Sequence, residues 1–354
     1  EFLNEAHKKG IIVLSYYSFM YNKPLKKIHP EWLMQLIDDG REPIENLGWF
    51  CFNSPFRDWL PEYLNEFMAN LDLDGFFFDD TNWGSHESRP FYPGCSCIHC
   101  EKLFKSETGL KIPRVVDFDS MDFKHFINWR YQKWIDILHH VYRLVIEKNP
   151  GAIMDLQYYA RPTSMWDDGH PISEVGVDKL GGYYFIETHR TMRESGYTSK
   201  IGRAMGTPFG IWRNSFQDLA ELTGGPAPNP EPYPALLHGL SAIVNGGAPY
   251  FGNFAGPLEL GKHTMKDVFT QLKKRAPYMD GETVKYVALH CSQQNRDFNP
   301  SELPKNTLKT EYMEIGLKEV LGTYEALNRS HLLVDMILDN QLNSDYMKQY
   351  PVLF

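Results

Sequence analysis

Three cysteines fall within Cys95-Ser96-Cys97-Ile98-His99-Cys100, and a fourth, Cys51, stands 44 positions before Cys95. The C-x-C-x-x-C spacing is too tight for independent disulfides, but its thiolates can converge on one ion. A fourth ligand would complete the closed, tetrahedral site of a structural zinc. Cys51 is the natural candidate, and His99 could take the same place. Four protein ligands leave no open position for a substrate, so the Zn²⁺ expected here is structural. The competing reading is a set of reduced, unligated thiols. Cys291 lies alone in the sequence.

Carboxylates form the second group. In Asp74-Gly75-Phe76-Phe77-Phe78-Asp79-Asp80, strand alternation would put Gly75, Phe77 and Asp79 on one face. Glu187 closes the run Phe185-Ile186-Glu187. Hydrolysis of a glycosidic bond needs two carboxyl groups, about 5–5.5 Å apart for retention or roughly 6.5–9.5 Å for inversion. Asp79 and Asp80 offer the first carboxylate, and Glu187 is expected as acid/base. An apolar strand around Glu187 would favour its protonated form. Equally, one Asp could cap a loop, and Glu187 could pair with Arg190 or Arg213. Asp155, Asp167 and Asp168 are alternative second carboxylates. Tyr16, Trp83, His86, Gln157, Tyr158, His189, Trp212, Arg213 and Asn253 could bind sugar hydroxyls or stack on rings. Arg161, Arg190 and Arg213 leave room for an acidic sugar held by guanidinium forks.

The elements that must position these groups follow from short apolar runs: Ile11 to Tyr17, Trp49 to Phe52, Gly75 to Asp80, Ile153 to Tyr159, Tyr183 to Glu187, Phe209 to Arg213 and Pro249 to Phe254. Short continuous runs suit parallel strands buried on both faces. Residues 121–148 read as an amphipathic helix, with Phe123, Phe126, Ile127, Tyr131, Trp134, Leu138, Val141, Tyr142 and Val145 at three- and four-residue steps. Alternating β and α elements restrict the fold to a doubly wound sheet or a barrel. No G-x-G-x-x-G marks a dinucleotide site. Seven strand candidates, plus one apparently missing ahead of the first helix, predict a (β/α)₈ TIM barrel over residues 1–280. The polar residues above would then sit at strand C-termini, where barrel sites are built. Residues 281–354 predict the start of a second α/β domain, with strands at 284–291, at 332–337 and from 351.

Composition sets outer bounds. The 354 residues suit one large domain and part of another, and 42% hydrophobic with 23% charged is ordinary for a globular chain. Aromatics reach 14%, with 8 Trp, 20 Tyr and 22 Phe, enough to fill a core and to line a sugar site. The net charge of −9, from 36 basic and 45 acidic residues, argues against a nucleic-acid-coating surface. No apolar run is long enough for a membrane span. The chain opens on Glu1 and stops at Phe354 inside an expected strand, so both ends read as cut. Reduced cysteines suit the cytoplasm, with a leader ahead of Glu1 left open.

The cysteine spacing resembles the zinc cluster of family 42 β-galactosidases, as does Cys100-Glu101-Lys102-Leu103-Phe104-Lys105 running on to Thr108-Gly109-Leu110. The D-G-x-x-x-D ending and His29-Pro30-Glu31-Trp32 resemble a broader set of barrels called hypothetical glycoside hydrolases. Residues 327–335 and 350–353 are similar to the start of the flavodoxin-like trimerisation domain of β-galactosidases. The resemblance implies a glycoside hydrolase acting on a terminal sugar, a homo-oligomer, and Cys51 at the end of barrel strand three. It breaks at the catalytic positions. Thr81 stands where family 42 has its acid/base Glu, and Ile211-Trp212-Arg213-Asn214 lacks the second Glu. D-G-F-x-x-D resembles instead the fourth-strand ending of α-glycosidase and fucosidase barrels, whose nucleophile is an Asp, which implies Asp79 as nucleophile or base with Asp80 in reserve. Rival readings are a carbohydrate-binding barrel without catalysis and a zinc protein serving only assembly.

Overall fold

The structure, a computed structural model, describes residues 1–35, 49–79, 81, 94–115, 117, 119–158, 182–187, 192–214, 232–252, 258–279, 281–298 and 312–354. Six parallel strands form one sheet in chain order: β1 (Leu14–Ser18), β2 (Gly75–Asp79), β3 (Ile153–Tyr158), β4 (Gly182–Glu187), β5 (Phe209–Asn214) and β6 (Ala248–Gly252). Helices precede or separate them: α1 (Phe2–Lys8), α2 (Lys23–Ile28), α3 (Phe56–Asn70), α4 (Ile98–Thr108), α5 (Met121–Lys148), α6 (Met192–Met205), α7 (Pro232–Val244) and α8 (Leu258–Arg275). Parallel neighbours in sequence order with intervening helices are the arrangement of a barrel wall, as expected. Among the described residues β1 and β6 remain edges, so no closed ring is seen.

The sheet is nonetheless strongly curled. Tyr250 on β6 donates its hydroxyl to Asp155 Oδ2 on β3 at 2.7 Å. Across a flat sheet those strands would lie about 14 Å apart, beyond a tyrosine's reach. Two glycines make the curl possible. A Cβ on Gly210 would stand 2.0 Å from the Tyr250 ring, so only a bare backbone lets that ring cross β5. At Gly75, φ is +152° and a Cβ would fall 1.9 Å from the Ile153 carbonyl oxygen. The preceding Asp74 is structural: it accepts from Val13 N at 2.7 Å and His7 Nε2 at 2.9 Å, tying α1 to the start of the sheet. The Val13 amide holds its carboxyl below the usual carboxylate range.

The convex face is covered by helices. Phe76, Phe78, Met154, Leu156, Tyr184 and Ile186 are fully buried beneath them. Helix α5 begins at Ser120, whose hydroxyl accepts from Phe123 N at 3.4 Å, and all nine residues of its expected apolar stripe are buried.

One expected strand is absent from the sheet. Trp49 to Phe52 contributes only an isolated antiparallel bridge, Leu33 with Phe50. β1 pairs directly with β2, Leu14 opposite Gly75, which leaves no slot between them. The Asp79 strand is therefore second in the described sheet. The segment is held elsewhere: Phe50 N donates to the Met20 carbonyl and Cys51 N to the Trp32 carbonyl.

The second sheet, β8 (Val334–Leu338), β7 (Val287–Cys291) and β9 (Val352–Leu353), is parallel and in that spatial order. It is accompanied by α9 (Gln293–Phe298), α10 (Tyr312–Arg329) and the short α11 (Ser344–Met347). Val287, Leu289, Cys291 and Val334 join the same apolar core as the barrel helices.

Candidate active site and cysteine cluster

Alternation along β1 to β6 decides which side chains face the concave side. On β2 these are Phe77 and Asp79, on β3 Asp155 and Gln157, on β4 Tyr183, Phe185 and Glu187. Ring contacts trace this face. Tyr16 stacks on Phe77 at 5.8 Å, Phe77 meets Phe185 edge-on at 4.5 Å, and Phe185 contacts Tyr250 at 5.0 Å and Trp212 at 6.0 Å. Above this aromatic floor, at the C-terminal ends of β2 and β4, stand Asp79 and Glu187. The Tyr16 hydroxyl donates to Asp79 Oδ2. Gln157 Nε2 donates to Glu187 Oε2 at 2.8 Å. The register places Phe78 opposite Leu156 and Gln157 opposite Phe185, so Gln157 lies on the strand between the two carboxylates.

Asp155 sits one alternation step deeper than Gln157 and is almost fully buried. Its Oδ2 accepts from Tyr250, while Oδ1 has no hydrogen-bond partner among the described residues. Burial pushes its carboxyl up to about 7, against the opposing pull of the Tyr250 hydrogen bond. Burial also pushes the Tyr183 and Tyr250 phenols upward, so both remain donors.

Of the expected site residues, Tyr16, Asp79, Gln157, Glu187 and Trp212 share the concave face. Tyr158 does not. It is fully buried on the helix side, stacked on Tyr184 at 4.9 Å and 6.3 Å from Trp134, because it follows Gln157 by one residue. Arg213 is described only by its place in β5, opposite Phe251. Asp80, Trp83, His86, Arg161, Asp167, Asp168, His189, Arg190 and Asn253 lie outside the described residues. Thr81 is buried; its hydroxyl donates to the Gln157 carbonyl at 3.0 Å and its backbone carbonyl accepts from Trp134 Nε1 at 2.8 Å.

Cys51, Cys95, Cys97 and Cys100 are all buried, and their sulfurs lie within 4.8 Å of one another. Cys51 Sγ is 3.3 Å from Cys100 Sγ and 3.5 Å from Cys97 Sγ. Ligands at about 2.3 Å from a tetrahedral ion would lie about 3.8 Å apart, so the cluster could hold a metal ion. His99 is not part of it. The backbone amides of Gln35, Asn53 and Cys97 and the Asn53 side-chain amide donate to these sulfurs at 3.3–3.4 Å. Such donors orient thiolate ligands and balance their charge. Burial pushes the Cys51 and Cys100 thiols up, a cost that a bound cation would remove. The His29-to-Trp32 segment supports the cluster: His29 stacks on Trp32 at 3.8 Å, and the Trp32 carbonyl holds the Cys51 amide.

The fold has known counterparts. Residues 1–80 match the family model described as hypothetical glycosyl hydrolase 6. The fold is similar to that of a catalytic mutant of a family 42 β-galactosidase from G. stearothermophilus, with TM-score 0.71 and 13% identity over 99% of this chain and 58% of that one. It is also similar to α-L-fucosidase isoenzyme 2 from Paenibacillus thiaminolyticus, with TM-score 0.62 and 18% identity over 99% of this chain and 49% of that one. A β-galactosidase from a Rahnella species aligns with TM-score 0.66 and 16% identity over 99% and 58% of the two chains. The fold resembles that of family 42 β-galactosidases. The chain spans about half the length of these solved structures. A search of curated proteins gives no match. Among the described residues no helix is long and apolar enough to cross a membrane.

Proposed function

We propose that this chain carries the catalytic barrel of a glycoside hydrolase that removes a terminal sugar with Asp79 and Glu187. The observation carrying this reading is the placement of both carboxylates at strand C-termini on the concave face, each held by a neutral donor above an aromatic floor. Asp79, accepting from Tyr16, acts as nucleophile or as base toward water. Glu187, oriented by the Gln157 amide, gives its proton to the leaving oxygen. Trp212 and Phe185 supply apolar surface for the face of the sugar ring. Turnover of a panel of aryl glycosides by the full-length protein tests this. Positioned proton transfer contributes about 10²–10⁴-fold, so Asp79→Asn and Glu187→Gln should each lower kcat/KM by at least about 10²-fold. Full turnover in both variants would remove these residues from the mechanism.

The four cysteines are assigned to a structural Zn²⁺. When bound, the ion would pin the segment at Cys51 to the start of α4 without touching substrate. About one zinc per chain is expected by metal analysis of protein purified without chelators, and a content far below that would refute the assignment. Residues 281–354 are read as the beginning of a flavodoxin-like, trimerisation-type domain, which predicts a dimer or trimer of the full-length protein by light scattering. Reduced cysteines and zinc suit a cytoplasmic location.

The buried, structural role of Thr81 at the family 42 acid/base position favours one second reading, a sugar-binding barrel without catalysis. Sugar binding by the wild-type protein with no turnover of any glycoside in the panel would select it.

A further inference from the structure

The seam between the barrel and the second sheet holds a cleft of about 290 Å³, and neither Asp79 nor Glu187 lines it. Its walls come from both units: Lys200 and Arg203 of α6, Thr283 and Lys285 leading into β7, Asp335 of β8, and the ring of Tyr350 before β9. Asp335 is already engaged, accepting from Lys200 at 3.2 Å and from the Tyr350 hydroxyl at 3.1 Å. The Arg203 guanidinium has no ion-pair or hydrogen-bond partner among the described residues. The Lys285 amine donates to the Gln349 side-chain carbonyl and stands over two tyrosine rings, 5.2 Å from Tyr346 and 5.7 Å from Tyr350, leaving it two further N–H donors. The Thr283 hydroxyl is buried without a hydrogen-bond partner among the described residues.

Each feature asks for the same kind of occupant. On a chain of net charge −9, a lining in which the cations Lys200, Arg203 and Lys285 outnumber the carboxylates Asp335 and Glu282, with the Arg203 guanidinium unpaired among the described residues, marks a local site for an anion. An orphaned buried hydroxyl calls for a polar partner. Tyrosine rings and a carboxylate suit a hydroxylated ring. The volume is near the lower end of small-molecule sites, about 300–1,000 Å³, and so fits one monosaccharide. We infer that this cleft binds a monosaccharide carrying an anionic group, a sugar acid or a sugar phosphate. The site is separate from the glycosidase reading and does not depend on it. Because its walls belong to both units, an occupant would brace the second sheet against α6.

Titration calorimetry of the full chain with D-glucuronate and with glucose 6-phosphate tests this, with glucose and inorganic phosphate as controls. The expected result is saturable binding of one or both anionic sugars at about 1 mM or tighter. Glucuronate alone would identify a carboxylate site, and glucose 6-phosphate alone a phosphate site. Arg203→Gln and Lys285→Gln should each weaken binding at least tenfold while the melting temperature of the free protein stays within a few degrees. Asp79→Asn should leave binding unchanged, so a failure of the hydrolase assignment would not disturb this result. The inference falls if neither anionic sugar binds, or if glucose or phosphate alone binds as tightly. It falls equally if both cation variants bind normally, or if Asp79→Asn abolishes binding, which would place the ligand in the barrel.

Discussion

Asp155 concentrates the physical tension of the concave face in one side chain. Its carboxyl is buried, holds one hydrogen bond from Tyr250 and is pushed up to about 7. In the unfolded chain an Asp titrates near 3.9. The folded state therefore binds the proton more tightly. The stability from this group is fully present below about pH 4 and is lost as pH rises through about 7. Asp155→Asn removes the titration and keeps an acceptor for Tyr250. Relative to wild type, this variant should gain stability as pH rises from 5.5 to 8.5, with the difference growing by about 2 kcal/mol. Urea unfolding at the two pH values measures it. Parallel pH profiles for the two proteins would show that Asp155 ionises without penalty, for example against a cation. The same residue shows how parity works at this scale. Once Asp79 is assigned to the concave face of its strand, Asp155 and Gln157 share the corresponding face of theirs, and Tyr158 must oppose them. Gln157 and Tyr158 could not both have been site residues, and a strict count of alternation would have said so.

At the scale of elements, the D-G-x-x-x-D run is a geometric requirement as much as a chemical motif. Its glycine holds φ at +152° with the Ile153 carbonyl where a Cβ would go. Gly75→Ala would have to separate β2 from β3, and misplaced backbone of this kind costs about 2–4 kcal/mol. Thermal or urea unfolding reads the loss, and a cost under about 1 kcal/mol would mean the strand ends adjust freely. Elements defined by local pattern were legible from the residues alone. The α5 stripe is a 3.6-residue repeat and needs no tertiary information, and the cysteine spacing fixes convergence of its own sulfurs on one point. Trp49 to Phe52 was not legible as what it is. A short apolar run looks the same whether it is buried in a parallel sheet or beneath a cysteine cluster. Only the direct pairing of β1 with β2 excludes it from the sheet. Likewise the reach of Tyr250 to Asp155 depends on the curl of the whole sheet, a property that no single strand encodes.

At the scale of the whole molecule, buried polar side chains link the barrel to the second unit. Arg296 of α9 donates from Nε to Asp297 Oδ1 at 2.7 Å and from a terminal nitrogen to the Tyr131 hydroxyl of α5 at 2.9 Å. Tyr131 in turn donates to Asp297 Oδ2 at 2.9 Å, and the Arg130 guanidinium lies over the Tyr131 ring at 4.9 Å. Arg296 and Asp297 are nearly solvent-free, at 4% and 1% side-chain exposure. Burial pushes the Asp297 carboxyl up, against the Arg296 charge beside it, so desolvation offsets much of what the pairing gains. Such a pair adds little net stability over apolar residues of the same shape, but losing one partner strands the other charge. Asp297→Ala should therefore destabilise the protein by about 3–5 kcal/mol. The double replacement Arg296→Met with Asp297→Leu should recover most of that loss. Tyr197 against Cys291 at 3.4 Å and the shared apolar core couple the same two units, so both should still unfold in one transition. Calorimetry of wild type, single and double variants decides the matter. A single variant as stable as wild type would mean that Arg296 finds water or another acceptor at the seam. A double variant no better than the single would mean that the pair is net stabilising and that its geometry, rather than burial alone, holds the second sheet on the barrel.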